Sequence, residues 1–367
     1  LHIFKIGLIN QGKLMSRKLF LNTILLCTFI FFVNDLNASK QFVITPVFET
    51  PQVDDSGDAD DPAIWLNEFD PSLSIVFGTD KYNGIYSYNL KGEIIGFSKA
   101  GSINNIDLRT VGNYTYIFGT EAGENNLYLW VYKNSFLNRK SRKGQFSIKD
   151  KPHFSGKVNF FAYGLCAGLI NNDEIIAFVT EAEGPGIELW KFTNSNLELI
   201  NTFNNSNASE SEGCVFDDEN RNFFISEENE RGIIRSYSLS KDLLLENKIK
   251  IDDRDGRIVG DPEGLAILKT SPEDGYLIAS SQGNSTFNIY ERKAPYKFIG
   301  SFKIEGNTNI DGVSDTDGLE IINTNLNKDF PDGILVVQDG DNTFEDTIQK
   351  QNFKFLSLKD LKQYLTS

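Results

Sequence analysis

Three observations predict an all-β chain, and among all-β folds a six-bladed β-propeller. From Lys40 onward helical periodicity is scarce, while short β-branched and aromatic runs alternate with clusters of Gly, Asn and Asp. The runs come in pairs, and the second member of each pair recurs at intervals of roughly 42 to 60 residues, the length of one four-stranded blade. The composition agrees: 367 residues, 40% hydrophobic and 24% charged with 29 Phe, describe an aromatic-rich globular protein and exclude disorder, collagen and coiled coil.

The elements follow in chain order. Met15 is followed by Ser16-Arg17-Lys18, an apolar stretch from Leu19 to Val33 and small residues near Asn37-Ala38-Ser39, which reads as a signal peptide over residues 15–39. The apolar run falls short of the ~20 residues a membrane span needs, so an uncleaved anchor is the lesser alternative. Residues 1–14 read as non-native upstream translation. The paired runs are Ser74–Gly78 with Gly84–Tyr88, Tyr114–Phe118 with Leu127–Trp130, and Ile175–Val179 with Gly186–Trp190. Asn222–Ile225 with Gly232–Tyr237, Tyr276–Ala279 with Phe287–Tyr290, and Gly333–Val337 with Phe353–Leu356 continue the series. A strand around Phe42 to Phe48 is expected to close the ring. Ser357 to Tyr364 is the one weak helical candidate, and 361–367 reads as a polar tail. The chain is thus expected to hold a single propeller over residues 40–360; a pair of β-sandwiches, the alternative, would show no regular period.

Charge narrows the partners. Lys plus Arg number 36 against 51 Asp plus Glu, a net −15, which disfavours direct binding to nucleic acid. Loss of residues 1–39 would leave 32 against 50, or −18, and self-repulsion of that size calls for counter-cations. The expected product is a monomer, secreted or periplasmic, with no stable membrane association after cleavage. It would keep Cys166 and Cys214, either as a disulfide or as two buried thiols.

Absences restrict the chemistry. Past the leader His153 is the only histidine, so a histidine phosphatase, a His-bridged triad and imidazole-rich metal sites are excluded. Neither cysteine has a phosphate-loop arginine six residues on, and no G-x-x-x-x-G-K-[ST] occurs. Carboxylates remain, in clusters between strand runs: Glu49, Asp54 to Pro62, Ser211 to Gly213, Glu227-Glu228, Asp261 to Gly264, Asp311 to Gly318 and Gln338 to Asn342. A propeller gathers the corresponding loops of successive blades at one end of its channel. Carboxylates brought together there cannot all stay ionised without a counter-charge, and hard oxygen ligands in such number suit Ca²⁺.

Those segments, with Gly57-Asp58-Ala59-Asp60-Asp61-Pro62-Ala63-Ile64-Trp65, Asn104 to Arg109, Asp255-Gly256-Arg257, Ser280 to Asn284 and Gln338-Asp339-Gly340, resemble the β-propeller phytases from about Glu49 to Phe355. These are calcium-dependent phytate phosphohydrolases of the 3-phytase type. The resemblance implies a mouth holding several Ca²⁺ ions, with Glu49, Asp60, Glu212, Glu228, Asp261, Glu263, Gln282 and Asp317 at positions of active-site ligands. Asp311, Gly312 and Asn342 match structural-calcium positions, and Lys81 and Tyr163 match groups that contact substrate phosphate. Glu228, Glu212, Asp60, Lys81 and Tyr163 are thereby implied to carry catalysis on a phytate-like small molecule, with a calcium-bridged water as the nucleophile. Two departures stand out: Glu121 where the family has arginine and Ala182 where it has lysine, with Lys99, Arg109 and Lys191 as conceivable substitutes. Two other readings follow from those losses: a calcium-stabilised propeller that binds an anion without turnover, and a metal-dependent propeller lactonase or phosphodiesterase.

Overall fold

The computed structural model describes residues 42–366 apart from 172, 206–207, 229–230 and 345–346. The signal-peptide and upstream-translation readings, on residues 1–39, lie outside the described residues. Six sheets, each a meander of successive antiparallel strands, make six blades over residues 59–98, 103–157, 162–204, 214–252, 265–304 and 319–357. Their first strands are Ala59–Trp65, Ile103–Val111, Ala162–Ile170, Cys214–Asp217, Leu265–Lys269 and Leu319–Ile322. Each packs on the first strand of the next blade, and the sixth returns to the first. The ring is therefore closed, with these strands around its channel.

Strand periodicity explains why the blades are apolar on both faces. In Ile75–Asp80 every residue is buried. Alternation sends Ile75 and Phe77 toward Ile103, Ile117 and Trp130 of blade 2, and Val76 toward Val336 and Phe353 of blade 6. The same division recurs around the ring, so the core consists of apolar wedges between neighbouring blades.

The expected closing segment divides in two. Phe48–Glu49 becomes the outermost strand of blade 6, pairing Phe48 with Phe355, whereas Phe42–Ile44 adds in parallel to Phe298–Ile304 of blade 5. Cys166 and Cys214 form a disulfide between the first strands of blades 3 and 4, with Cα atoms 5.6 Å apart. Residues 361–366, expected to be a tail, belong to helix Leu358–Thr366. Leu358 and Leu361 are wholly buried there, and Tyr364 stacks on Phe42 at 4.4 Å. Among the described residues no helix is long and apolar enough to cross a membrane.

Candidate active site

One position per blade builds the channel mouth. In blades 1 to 3 the register of the first strand slips between Ala59 and Pro62, between Ile103 and Ile106, and between Ala162 and Leu165. Such bulges re-aim side chains, and Asp60, Asn104 and Tyr163 lie within them. In blades 4 to 6 the equivalent positions are Glu212, Glu263 and Asp317, each followed by a glycine and then by the first strand. The glycines serve close approach: a Cβ on Gly213 would collide with the carbonyl oxygen of Glu263, and one on Gly264 with that of Asp317. Hydrogen bonds lock the same ring, from Gly264 N to Asp317 O at 2.7 Å and from Gly318 N to Asp60 O at 3.1 Å. Residues distant in sequence thus meet because each blade's mouth residue is held against its neighbour's backbone.

The resulting cluster is electrostatically incomplete. Asp60 is 1% exposed, and neither of its carboxylate oxygens accepts a hydrogen bond; its nearby cation is Lys81, whose Nζ lies 3.2 Å from Oδ1 and 3.8 Å from Glu212 Oε1. Glu228 Oε1 and Glu263 Oε2 are likewise buried without a donor. Glu212, Glu228 and Glu263 each place a carboxylate oxygen within 4.8 Å of the other two. Asn104 Nδ2 donates to Glu212 Oε1 at 2.6 Å, and Gln282 Nε2 to Asp317 Oδ1 at 3.0 Å. Below the cluster the channel narrows to a cavity of about 30 Å³.

Burial and crowding move the proton equilibria. Burial, then the Glu212 carboxylate, holds Asp60 well above the usual carboxylate range and pushes Glu228 up to about 9. Burial raises Asp317 to about 7 despite the opposing pull of Lys81, and burial with Glu228 raises Glu263. For Lys81 burial favours the neutral amine, but Asp60 and Glu212 outweigh it, so the group stays an ammonium. Burial and Glu212 keep the Tyr163 hydroxyl protonated and available as a donor. Carboxylates this crowded, with oxygens that no protein donor reaches, fit a hard divalent cation.

A second acidic cluster contrasts with this one. Glu49, Asp311 and Asn342 converge on Lys354, which is fully buried: Nζ donates to Glu49 Oε2 at 2.5 Å, to Asn342 Oδ1 at 3.1 Å and to Asp311, and lies 3.2 Å from Asp339 Oδ2. Glu49, read with the mouth ligands, is held here instead, and Gly312 adjoins Asp311. Lys354 thus supplies these side chains with a cation of their own, while Asp339 Oδ2 stays buried without a hydrogen-bond donor.

Two stretches of the chain, residues 14–125 and 174–367, match the sequence model of the family described as Phytase. The chain belongs to the phytase family. A 3-phytase of Bacillus subtilis (strain 168) is 30% identical over 353 residues, covering 90% of this chain and 87% of that one. A chain of a nidogen/laminin complex matches with a TM-score of 0.47 and 11% identity over 74% of this chain and 90% of its own; at that similarity it bears on neither ancestry nor function.

The departures of this phytase-family chain acquire a structural account. Glu121 is buried, and its carboxylate accepts from Gly123 N at 3.1 Å and Glu124 N at 2.8 Å, closing the turn after strand Tyr114–Glu121. Ala182 is buried as well. Arg109 lies about 17 Å along its strand from Asn104; its guanidinium is engaged with Asp107 at 3.0 Å and Asp218 at 3.0 Å. Lys191 pairs with Glu174 at 3.0 Å, and Lys99 is exposed after the outer strand of blade 1. A cation near the mouth that sequence reasoning missed is Arg254, which holds the Asp261 carboxylate and donates to the Glu228 carbonyl at 2.8 Å and the Gly260 carbonyl at 2.6 Å. Its signal was an arginine between two aspartates, Asp253 and Asp255, shortly before Asp261. Lys354 and Asn104 were missed too; neither lies in an acidic run.

Proposed function

We propose that this chain is an exported, calcium-dependent phosphomonoesterase that hydrolyses phytate or a similarly polyphosphorylated small molecule. One observation carries the reading: in a phytase-family chain, Glu212, Glu228 and Glu263 converge beside Asp60, and Asp60, Glu228 and Glu263 keep buried oxygens that lack protein donors. These residues, with Asp317, Gln282 and Asp261, would hold calcium. When bound, calcium supplies Lewis acidity, an activated water and compensation for phosphate charge.

The chain's own groups set the rest. Lys81, an ammonium between Asp60 and Glu212, orients a phosphate oxygen at the inner side of the mouth. Tyr163 donates its hydroxyl from blade 3, and Arg254 offers a second cation from the blade 4–5 connection, replacing charge absent at positions 121 and 182. Glu228, raised to about 9, gives up its proton when a cation takes its place. The Cys166–Cys214 disulfide supports export, since such bonds persist in oxidising compartments. The 3-phytase type of the Bacillus relative gives the expected regiochemistry, read by the first isomer in a time course.

The test is phosphate release from phytate with millimolar calcium and then with excess chelator. Release that disappears with chelator supports the reading. The loss of basic residues at 121 and 182 favours a binder without turnover as the rival, and binding of phytate with no release at any calcium concentration would establish that rival instead.

A further inference from the structure

The connection between the third and fourth strands of blade 2 is a second charged surface, opposite in sign to the mouth. It joins Asn126–Lys133 to Phe154–Lys157 and carries helix Asn134–Ser141. From Lys133 to Lys151 there are seven basic side chains against one acid, Asp150, in a chain whose acids otherwise far outnumber its bases. Six of the seven are exposed, and among the described residues none forms an ion pair, unlike Lys81, Arg109, Arg292 and Lys354. Asp150 is spent locally, its Oδ1 accepting from Lys99 N at 2.9 Å and Ser98 Oγ at 3.3 Å. The segment also lies within the stretch the phytase-family match leaves out, residues 126–173. An unneutralised field of this density favours a polyanion.

The kind of polyanion follows from what surrounds the charges. Arg139 and Lys140 lie over the Phe136 ring at 5.4 and 5.6 Å, and Phe136, Tyr132 and Phe146 pack against one another, so these rings offer no free platform for bases to stack on. The exposed large apolar side chains near the patch, Phe69, Ile94 and Tyr114, sit on three separate segments, Lys133 covers the Tyr114 ring at 5.9 Å, and the helix itself buries Leu137, so the helix offers no apolar face of the kind that anchors in lipid. A groove of about 290 Å³ runs beside Lys140 and Lys149, wide enough for a sugar ring. Strand register places Lys133 beside Tyr114, at the end of blade 2 away from Asn104 and Glu121. We propose that this surface docks a linear acidic polysaccharide with carboxylates repeated along the chain, leaving the mouth open.

The test is affinity electrophoresis of the full chain through gels containing polygalacturonate, with chelator present to remove calcium bridging. Retardation at about 50 mM salt, lost near 300 mM, is expected from counterion release. The double variant Arg142→Glu, Lys143→Glu should weaken binding at least tenfold with an unchanged thermal midpoint. Lys149→Glu with Lys151→Glu, on a different part of the connection, guards against a folding defect in the first pair. No retardation of the wild type, undiminished retardation of both variants, or equal affinity for phosphatidylglycerol vesicles or single-stranded DNA would overturn the assignment.

Discussion

The mouth and the Lys354 cluster are built from the same side-chain types and differ in how their cation is placed. Around Lys354, Glu49, Asp311 and Asp339 share one fully buried ammonium, and a single carboxylate oxygen among these three, Asp339 Oδ2, is buried without a donor. At the mouth, Asp60, Glu228 and Glu263 retain oxygens without donors, and Lys81 and Arg254 do not reach them all. A buried network that carries its own counter-charge contributes to stability, whereas one with several donorless oxygens leaves room for a further cation. On the function proposed above, the difference would separate the carboxylates that hold the ring from those that do chemistry.

The largest test of that division is Lys354→Met, which would strand several carboxylates without a counter-charge. We expect a loss of about 3–5 kcal/mol in unfolding free energy by denaturant titration, with or without calcium. Full rescue by calcium would show that this cluster, too, is a metal site. Next comes Glu228→Gln, expected to lower phosphate release by about 100-fold or more, close to 2.7 kcal/mol, without lowering the thermal midpoint in chelator. Full activity in this variant would remove Glu228 from the site.

A third measurement follows the protons. Glu228 and Asp317 bind protons more tightly folded, at about 9 and about 7, than at their ordinary values of 4.5 and 3.8. Raised carboxylate values make the folded state lose stability as pH rises, from about 4 until it passes about 9, because the unfolded chain sheds those protons first. The midpoint in chelator should therefore fall by several degrees between pH 5 and 9, and calcium should flatten the decline. A slope unaffected by calcium would place these groups outside the ion's reach. The smallest effect belongs to Glu121→Gln, which keeps one acceptor for the turn: about 1 kcal/mol or less in stability and an unchanged KM for phytate. A lower KM would mean that Glu121 does face the substrate.

The blades were legible because two-faced burial writes long apolar runs such as Ile75-Val76-Phe77, and because glycines and acids punctuate them at a blade's period. Asp60, Glu212, Glu263 and Asp317 were legible as clustered acids, three of them preceding a glycine that admits the neighbouring carbonyl. Which acids share a cluster was not, since that depends on the phase of each blade around the ring: the family resemblance groups Glu49 with Asp60, whereas in space Glu49 pairs with Lys354. Arg109 illustrates the same limit. The sequence admits it as a substitute for the cations missing at the mouth, and strand geometry carries it about 17 Å from Asn104.

The closure of the ring has its own consequence for how the molecule is made. Phe48–Glu49 has its pairing partner in Asn352–Ser357, and 303 positions separate Glu49 from Asn352. The sixth blade therefore gains its outermost strand only after two segments so far apart along the polypeptide have met. The clasp is two residues long, and Glu49 fastens it onto Lys354 of Asn352–Ser357. One ion pair thus fastens the outermost strand of the sixth blade to its neighbour, and opening it would bare two sheet edges there.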